Sequence, residues 1–195
     1  EPLSNLDARL RMDMRTELKR LHHSSAATTV YVTHDQMEAM TMSTKIAVMK
    51  LGVIQQMDTP DMVYHFPANL FVADFIGNPK VNLLSGWVSG KNTVDVGKFN
   101  VPVKTFRQTG DVVLGIRPED ILISETSIPN GVEFQAYSVL PSGSDTTIIA
   151  RKGDTELTVK ENGVSKIKMD QKIWLSFNED CTNLYDKESG NLVTE

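Results

Sequence analysis

The chain has 195 residues, enough for one large hydrophobic core or two small ones. A formal net charge of -5, spread evenly along the chain, lacks the basic footprint of a nucleic-acid binder, and no apolar run approaches the length that spans a bilayer. The single cysteine, Cys181, permits no intramolecular disulfide and suits a reducing compartment.

Glu1-Pro2-Leu3 opens the chain without a methionine, as though in the middle of a motif, which suggests a fragment of something longer. Ser4 and Asp7 resemble a capping pair, and Leu10, Met14, Leu18 and Leu21 then mark one face of a helix. Arg9, Arg11, Arg15, Lys19 and Arg20 read as its solvated sides, and His22-His23-Ser24-Ser25 as its end. Two adjacent histidines without further ligands do not make a metal site.

Thr28 to Met42 is the stretch around which the chain is organised. Thr28–Val32, β-branched and aromatic, predicts a buried strand, and Asp35 with Glu38 three residues on predicts the capped start of a helix. His34 then stands at the carboxyl end of a strand, just before a helix, the edge where ligands of open α/β sheets bind. A structural histidine in a strand–helix turn would leave the same local pattern. Gln36 and Glu38 suggest no role beyond starting and capping the helix.

Lys45–Lys50 predicts another strand, turning at Gly52 into Val53–Met57. Thr59-Pro60 predicts an N-cap with proline at the first helical position, and Asn69 caps a second segment whose apolar side is Leu70, Phe71, Val72, Phe75 and Ile76. Gly77 is the expected helix stop, and Asn78-Pro79 the expected domain boundary. Beyond it the pattern changes to short strands. Asp145–Arg151 and Glu156–Lys160 read as a hairpin through Lys152-Gly153-Asp154, with Val112–Ile116, Val132–Leu140 and Lys172–Phe177 as further strands. Such spacing predicts a small barrel or sandwich, so the expected class is α/β followed by all-β.

Several of these segments carry a resemblance. Glu1-Pro2-Leu3-Ser4-Asn5-Leu6-Asp7, with Val30-Tyr31-Val32-Thr33-His34-Asp35-Gln36 after it, resembles the second half of an ABC-transporter ATPase. Gly52-Val53-Ile54-Gln55-Gln56 with Thr59-Pro60, Pro67-Ala68-Asn69 through Phe75-Ile76-Gly77, and Gly115-Ile116-Arg117-Pro118-Glu119 narrow the likeness to sugar importers of the maltose and multiple-sugar type. Asn183-Leu184-Tyr185-Asp186 with Ser189-Gly190 resembles that family's tail.

The resemblance implies a truncated P-loop NTPase domain over residues 1–77 and a transport-associated, OB-like regulatory domain over 78–195. It implies that Glu1 polarises the attacking water, that Ser4, Asn5, Leu6 and Asp7 form a D-loop at the dimer interface, and that His34 senses the γ-phosphate. Phosphoryl transfer needs mainly positioning and charge stabilisation, so few side chains would suffice. ATP and Mg2+ would serve the parent protein. The implied partners are a second copy of the chain, membrane permease subunits on the cytoplasmic face, and a regulatory protein or small ligand at the OB-like domain; no nucleic acid is expected.

A phosphate-cradling G-x-x-x-x-G-K-[ST] loop does not occur in these residues, so the chain by itself is expected neither to bind ATP tightly nor to hydrolyse it. Gly86 to Asn92 and Leu84-Ser85-Gly86 only approximate the phosphate loop and the ABC signature. The rival reading is a non-catalytic module for dimerisation or regulation. Trp87, Phe99, Phe106 and Trp174 are scattered and suit core packing, and Arg117 with Glu119 suits a structural turn better than a catalytic pair.

Overall fold

The structure, a computed structural model, describes residues 7–25, 27–89, 92–104 and 109–193. The chain divides into two compact units, Glu1–Tyr64 and His65–Glu195.

The first unit begins with α1 (Ala8–Ser25). Asp7 sets its start, because the carboxylate Oδ1 accepts the backbone N–H of Leu10 at 2.9 Å. In its last turn the hydroxyls of Ser24 and Ser25 donate back to the carbonyls of Leu21 and His22. The strand expected over Thr28–Val32 does not form. Residues 27–33 run without strand pairing, and Val30 and Val32 are 87% and 68% exposed. β-Branched side chains favour extended backbone, but a strand exists only through its ladder and its buried face. Among the described residues, none forms a β-ladder with this segment.

Next come α2 (Gln36–Met42) and an antiparallel hairpin of β1 (Ile46–Lys50) and β2 (Val53–Asp58). Its two-residue turn needs left-handed backbone at both positions, supplied by Leu51 (φ 50°) and Gly52 (φ 80°). α3 (Pro60–His65) has proline at its first position, and Thr59 Oγ1 accepts the N–H of Met62.

The second unit contains α4 (Leu70–Phe75), capped by Asn69, whose Oδ1 accepts the N–H of Val72 at 3.0 Å. Ten strands follow: β3 (Asn82–Val88), β4 (Thr93–Asp95), β5 (Asn100–Pro102), β6 (Gly110–Ile116), β7 (Ile121–Ser124), β8 (Val132–Pro141), β9 (Asp145–Lys152), β10 (Thr155–Asn162), β11 (Lys172–Phe177) and β12 (Thr182–Asp186). They form two five-stranded antiparallel sheets, in the orders β10-β9-β8-β11-β7 and β12-β6-β3-β4-β5. The alternation of the strands buries one face of each. On β11, Ile173, Leu175 and Phe177 enter the core that Leu114, Phe134, Ile148, Leu157 and Leu184 also fill. Phe99 packs edge-on against Phe134 and stacks on Phe177 within it. The sheets are also pinned by Asn82 on β3. Its amide donates to the carbonyl of Thr158 on β10 at 2.8 Å and accepts that residue's N–H at 2.7 Å.

The second compact unit takes in residues 65–77 as well. Side chains and tail of the β-rich part hold this segment. Asn183 donates to the carbonyl of His65 at 2.9 Å, Leu70 N–H donates to Gly190 O at 2.9 Å, and Leu192 N–H donates to Ala68 O at 2.9 Å. Arg117, only 4% exposed, donates from Nη1 to the carbonyls of Ala73 and Ile76 at the end of α4. It thus supplies a cation and donors where a helix ends in unsatisfied carbonyls.

Candidate functional site

Of the site residues singled out in sequence, His34 lies on the turn between Tyr31 and α2. Asp35 caps α2, accepting the N–H of Glu38 at 3.1 Å. In a reciprocal capping box, Glu38 would return to the backbone N–H of Asp35. Here Thr33 takes that N–H instead, through Oγ1 at 2.9 Å, and Glu38 is left to do something else.

Glu38 is 3% exposed, and a carboxylate withdrawn this far from water must be compensated locally. Its Oε2 accepts the hydroxyls of Thr33 at 2.7 Å and Tyr31 at 3.0 Å, and its Oε1 accepts Nη2 of Arg15 at 3.3 Å. The same Arg15 nitrogen donates to Asp35 Oδ2 at 2.7 Å, with Arg11 3.8 Å from that oxygen. Burial and the hydrogen bond to Glu38 push the Tyr31 phenol up to about 12.

The residues on either side of His34 are therefore fixed to one part-buried polar cluster centred on Glu38, while His34 itself is exposed. An imidazole so presented can offer a hydrogen bond to a ligand oxygen without first leaving a core. Arg15, expected on a solvated face of α1, belongs to this cluster, and Glu38, expected only to cap, is its centre. No local signal could have found them, since Arg15 lies 23 positions from Glu38. Of the other site residues expected from sequence, Asp7 is the cap of α1, and Glu1, Ser4, Asn5 and Leu6 lie outside the described residues. Among the described residues, no group of three or more His, Cys, Asp and Glu side chains is placed to hold a metal ion.

In the second unit, Arg117 precedes a short 3-10 turn over Pro118–Asp120 that contains Glu119, with Arg117 turned inward to α4 as above. Burial raises the Asp120 carboxyl, assisted by Glu119, and burial together with Asp120 raises the Cys181 thiol. Phe99 is a core residue as expected, whereas Trp87 is 50% exposed; Phe106 lies outside the described residues. Tyr137 is the extra residue of a β8 bulge, 48% exposed, with the Arg151 guanidinium 3.5 Å above its ring. Leu84-Ser85-Gly86 lies inside β3.

Comparison with known proteins gives a consistent picture. The family described as the MalK OB fold domain matches residues 77–121. Xylose/arabinose import ATP-binding protein XacK of Haloferax volcanii is 44% identical over 203 residues, covering 99% of this chain and 53% of that protein. Trehalose/maltose import ATP-binding protein MalK of Thermococcus litoralis is 39% identical over 207 residues, covering 99% and 56%. The sn-glycerol-3-phosphate import ATP-binding protein UgpC of Escherichia coli K12 is 41% identical over 199 residues, covering 99% and 55%. The chain thus spans about half the length of the curated relatives it matches.

Proposed function

The chain resembles the ATP-binding subunits of sugar-type ABC importers and contains an OB-fold domain, and from that premise we propose that it is the C-terminal part of such a subunit. The observation that carries this is likeness over 99% of the chain to import ATP-binding proteins of three different cargoes. The parent activity is ATP hydrolysis coupled to carbohydrate uptake through a membrane permease, with the subunit working as a homodimer on the cytoplasmic face.

In this reading residues 1–77 come from the ATPase domain and 78–195 form the regulatory domain. Ser4, Asn5, Leu6 and Asp7 shape the dimer interface, and Glu1 orients the attacking water. His34, exposed on its fixed turn, holds a hydrogen bond to the terminal phosphate. ATP supplies the phosphoryl group and Mg2+ the charge neutralisation; of the described residues, His34 is the one proposed to face the nucleotide. Relatives at 39–44% identity differ in the cargo their names state, so likeness to them assigns no particular sugar.

Hydrolysis by the longer protein that contains this chain tests the proposal. His34→Ala should lower kcat by about a hundredfold or more, the loss typical of removing one hydrogen-bond donor to a developing charge. A variant hydrolysing at the parental rate would refute the role of His34. The second reading is a dimerisation or regulatory module without nucleotide chemistry. It predicts a complete protein that neither binds nor hydrolyses ATP.

A further inference from the structure

We propose that Glu38 is the positioning residue of the His34 turn. Its buried carboxylate fixes the backbone on both sides of the histidine and so sets where the imidazole points. The proposal rests on the reading of His34 as the phosphate-facing residue.

Thr33 and Asp35, the neighbours of His34, converge on Glu38 by separate routes. The Thr33 hydroxyl donates to Glu38 Oε2 at 2.7 Å and accepts the N–H of Asp35 at 2.9 Å, so one hydroxyl closes a loop around the histidine. Asp35 Oδ1 accepts the N–H of Glu38 at 3.1 Å. Arg15 clamps both carboxylates from α1, at 2.7 Å to Asp35 and 3.3 Å to Glu38. Tyr31 closes the far side at 3.0 Å. This segment has no strand partner among the described residues, so these side-chain bonds do the work a ladder would otherwise do. A helix cap alone would leave Glu38 exposed; the structure buries it to 3%. Without the carboxylate, Thr33 and Tyr31 lose their common acceptor and the turn can sample other backbone conformations.

The test compares Glu38→Gln, which keeps a carbonyl acceptor for Thr33 and Tyr31, with Glu38→Ala, which removes it. In the 195-residue chain, NMR of the labelled histidines should show His34 ring signals and residue 31–35 amides broadened or shifted in Glu38→Ala and nearer the parent in Glu38→Gln. His22 and His23, in the last turn of α1 in the same unit, serve as the internal control for folding. Unchanged His34 signals in Glu38→Ala would overturn the proposal, as would equal perturbation of His34 by both variants. In the longer protein, Glu38→Ala should lower kcat by about tenfold to a hundredfold with KM for ATP within about twofold, as displacement of one reacting contact predicts. Glu38→Gln should recover part of the loss, and an unchanged kcat in Glu38→Ala would count against positioning. If His34→Ala leaves hydrolysis intact, the phosphate-facing reading fails, while the NMR comparison still decides whether Glu38 holds the turn.

Discussion

Replacing Arg117 with methionine should destabilise the second unit by about 2–4 kcal/mol. The guanidinium is 4% exposed and donates to the carbonyls of Ala73 and Ile76, which close α4. Methionine fills similar length but leaves those acceptors without their donor, at about 1–3 kcal/mol for each buried group. Gly77 sharpens the test. Its φ of +119° is a conformation side-chain-bearing residues rarely adopt, and a Cβ there would lie 2.6 Å from Arg117 Nη1. Gly77→Ala should therefore cost about 1–3 kcal/mol in backbone strain, plus whatever it takes to move a buried guanidinium. In an Arg117→Met background the second term disappears and the first remains. The double variant should thus be more stable than the summed single losses by about 1 kcal/mol or more. Urea denaturation followed by tryptophan fluorescence reads this unit selectively, because both tryptophans, Trp87 and Trp174, lie in it. Additivity within about 0.3 kcal/mol, or a loss under about 0.5 kcal/mol for Arg117→Met, would refute the reasoning.

Asn82→Ala should cost the same unit about 2–4 kcal/mol in the same assay, since it strips the paired bonds to Thr158 and exposes none of them to water. A loss below about 1 kcal/mol would mean that the amide does not pin the sheets. Tyr31 makes the first unit sensitive to alkali. Its phenol is raised from 10.0 to about 12 in the folded chain, so the stability it contributes is full below 10.0 and is lost as pH rises toward about 12. Melts of α1 by circular dichroism across that window should show a steeper loss for the parent than for Tyr31→Phe; parallel curves would contradict the assignment. The Cys181 thiol, raised by burial and by Asp120, should alkylate more slowly than a free thiol at neutral pH, and Asp120→Asn should speed it. Equal rates for the parent chain and a model thiol would overturn this.

What the sequence revealed was what short-range chemistry determines. Asn69 and Thr59-Pro60 start helices where their side chains predict, and Lys172–Phe177 alternates so cleanly that its strand ends were legible. Gly153, with φ +58°, turns the β9–β10 hairpin where expected, within the two-residue connection. The strands β3, β4, β5, β7 and β12 went unread, because pieces of three to seven residues are defined by partners far along the chain. The opposite error arose at Thr28–Val32, where strong strand propensity meets no ladder. Arg117 and Glu38 were visible as residues but not as ties: each acts on groups many positions away, Ala73 lying 44 positions from Arg117. His34 was singled out at the end of a strand that does not form and through a resemblance, and the cluster around its turn was not legible at all.

The most direct test of the central claim is the coding sequence upstream of the Glu1 codon. The account predicts an open reading frame encoding G-x-x-x-x-G-K-[ST], an ABC signature and an apolar strand ending in aspartate immediately before Glu1. A reading frame that starts at or near residue 1 would contradict it, and would leave a regulatory or dimerisation module in place of a transport ATPase.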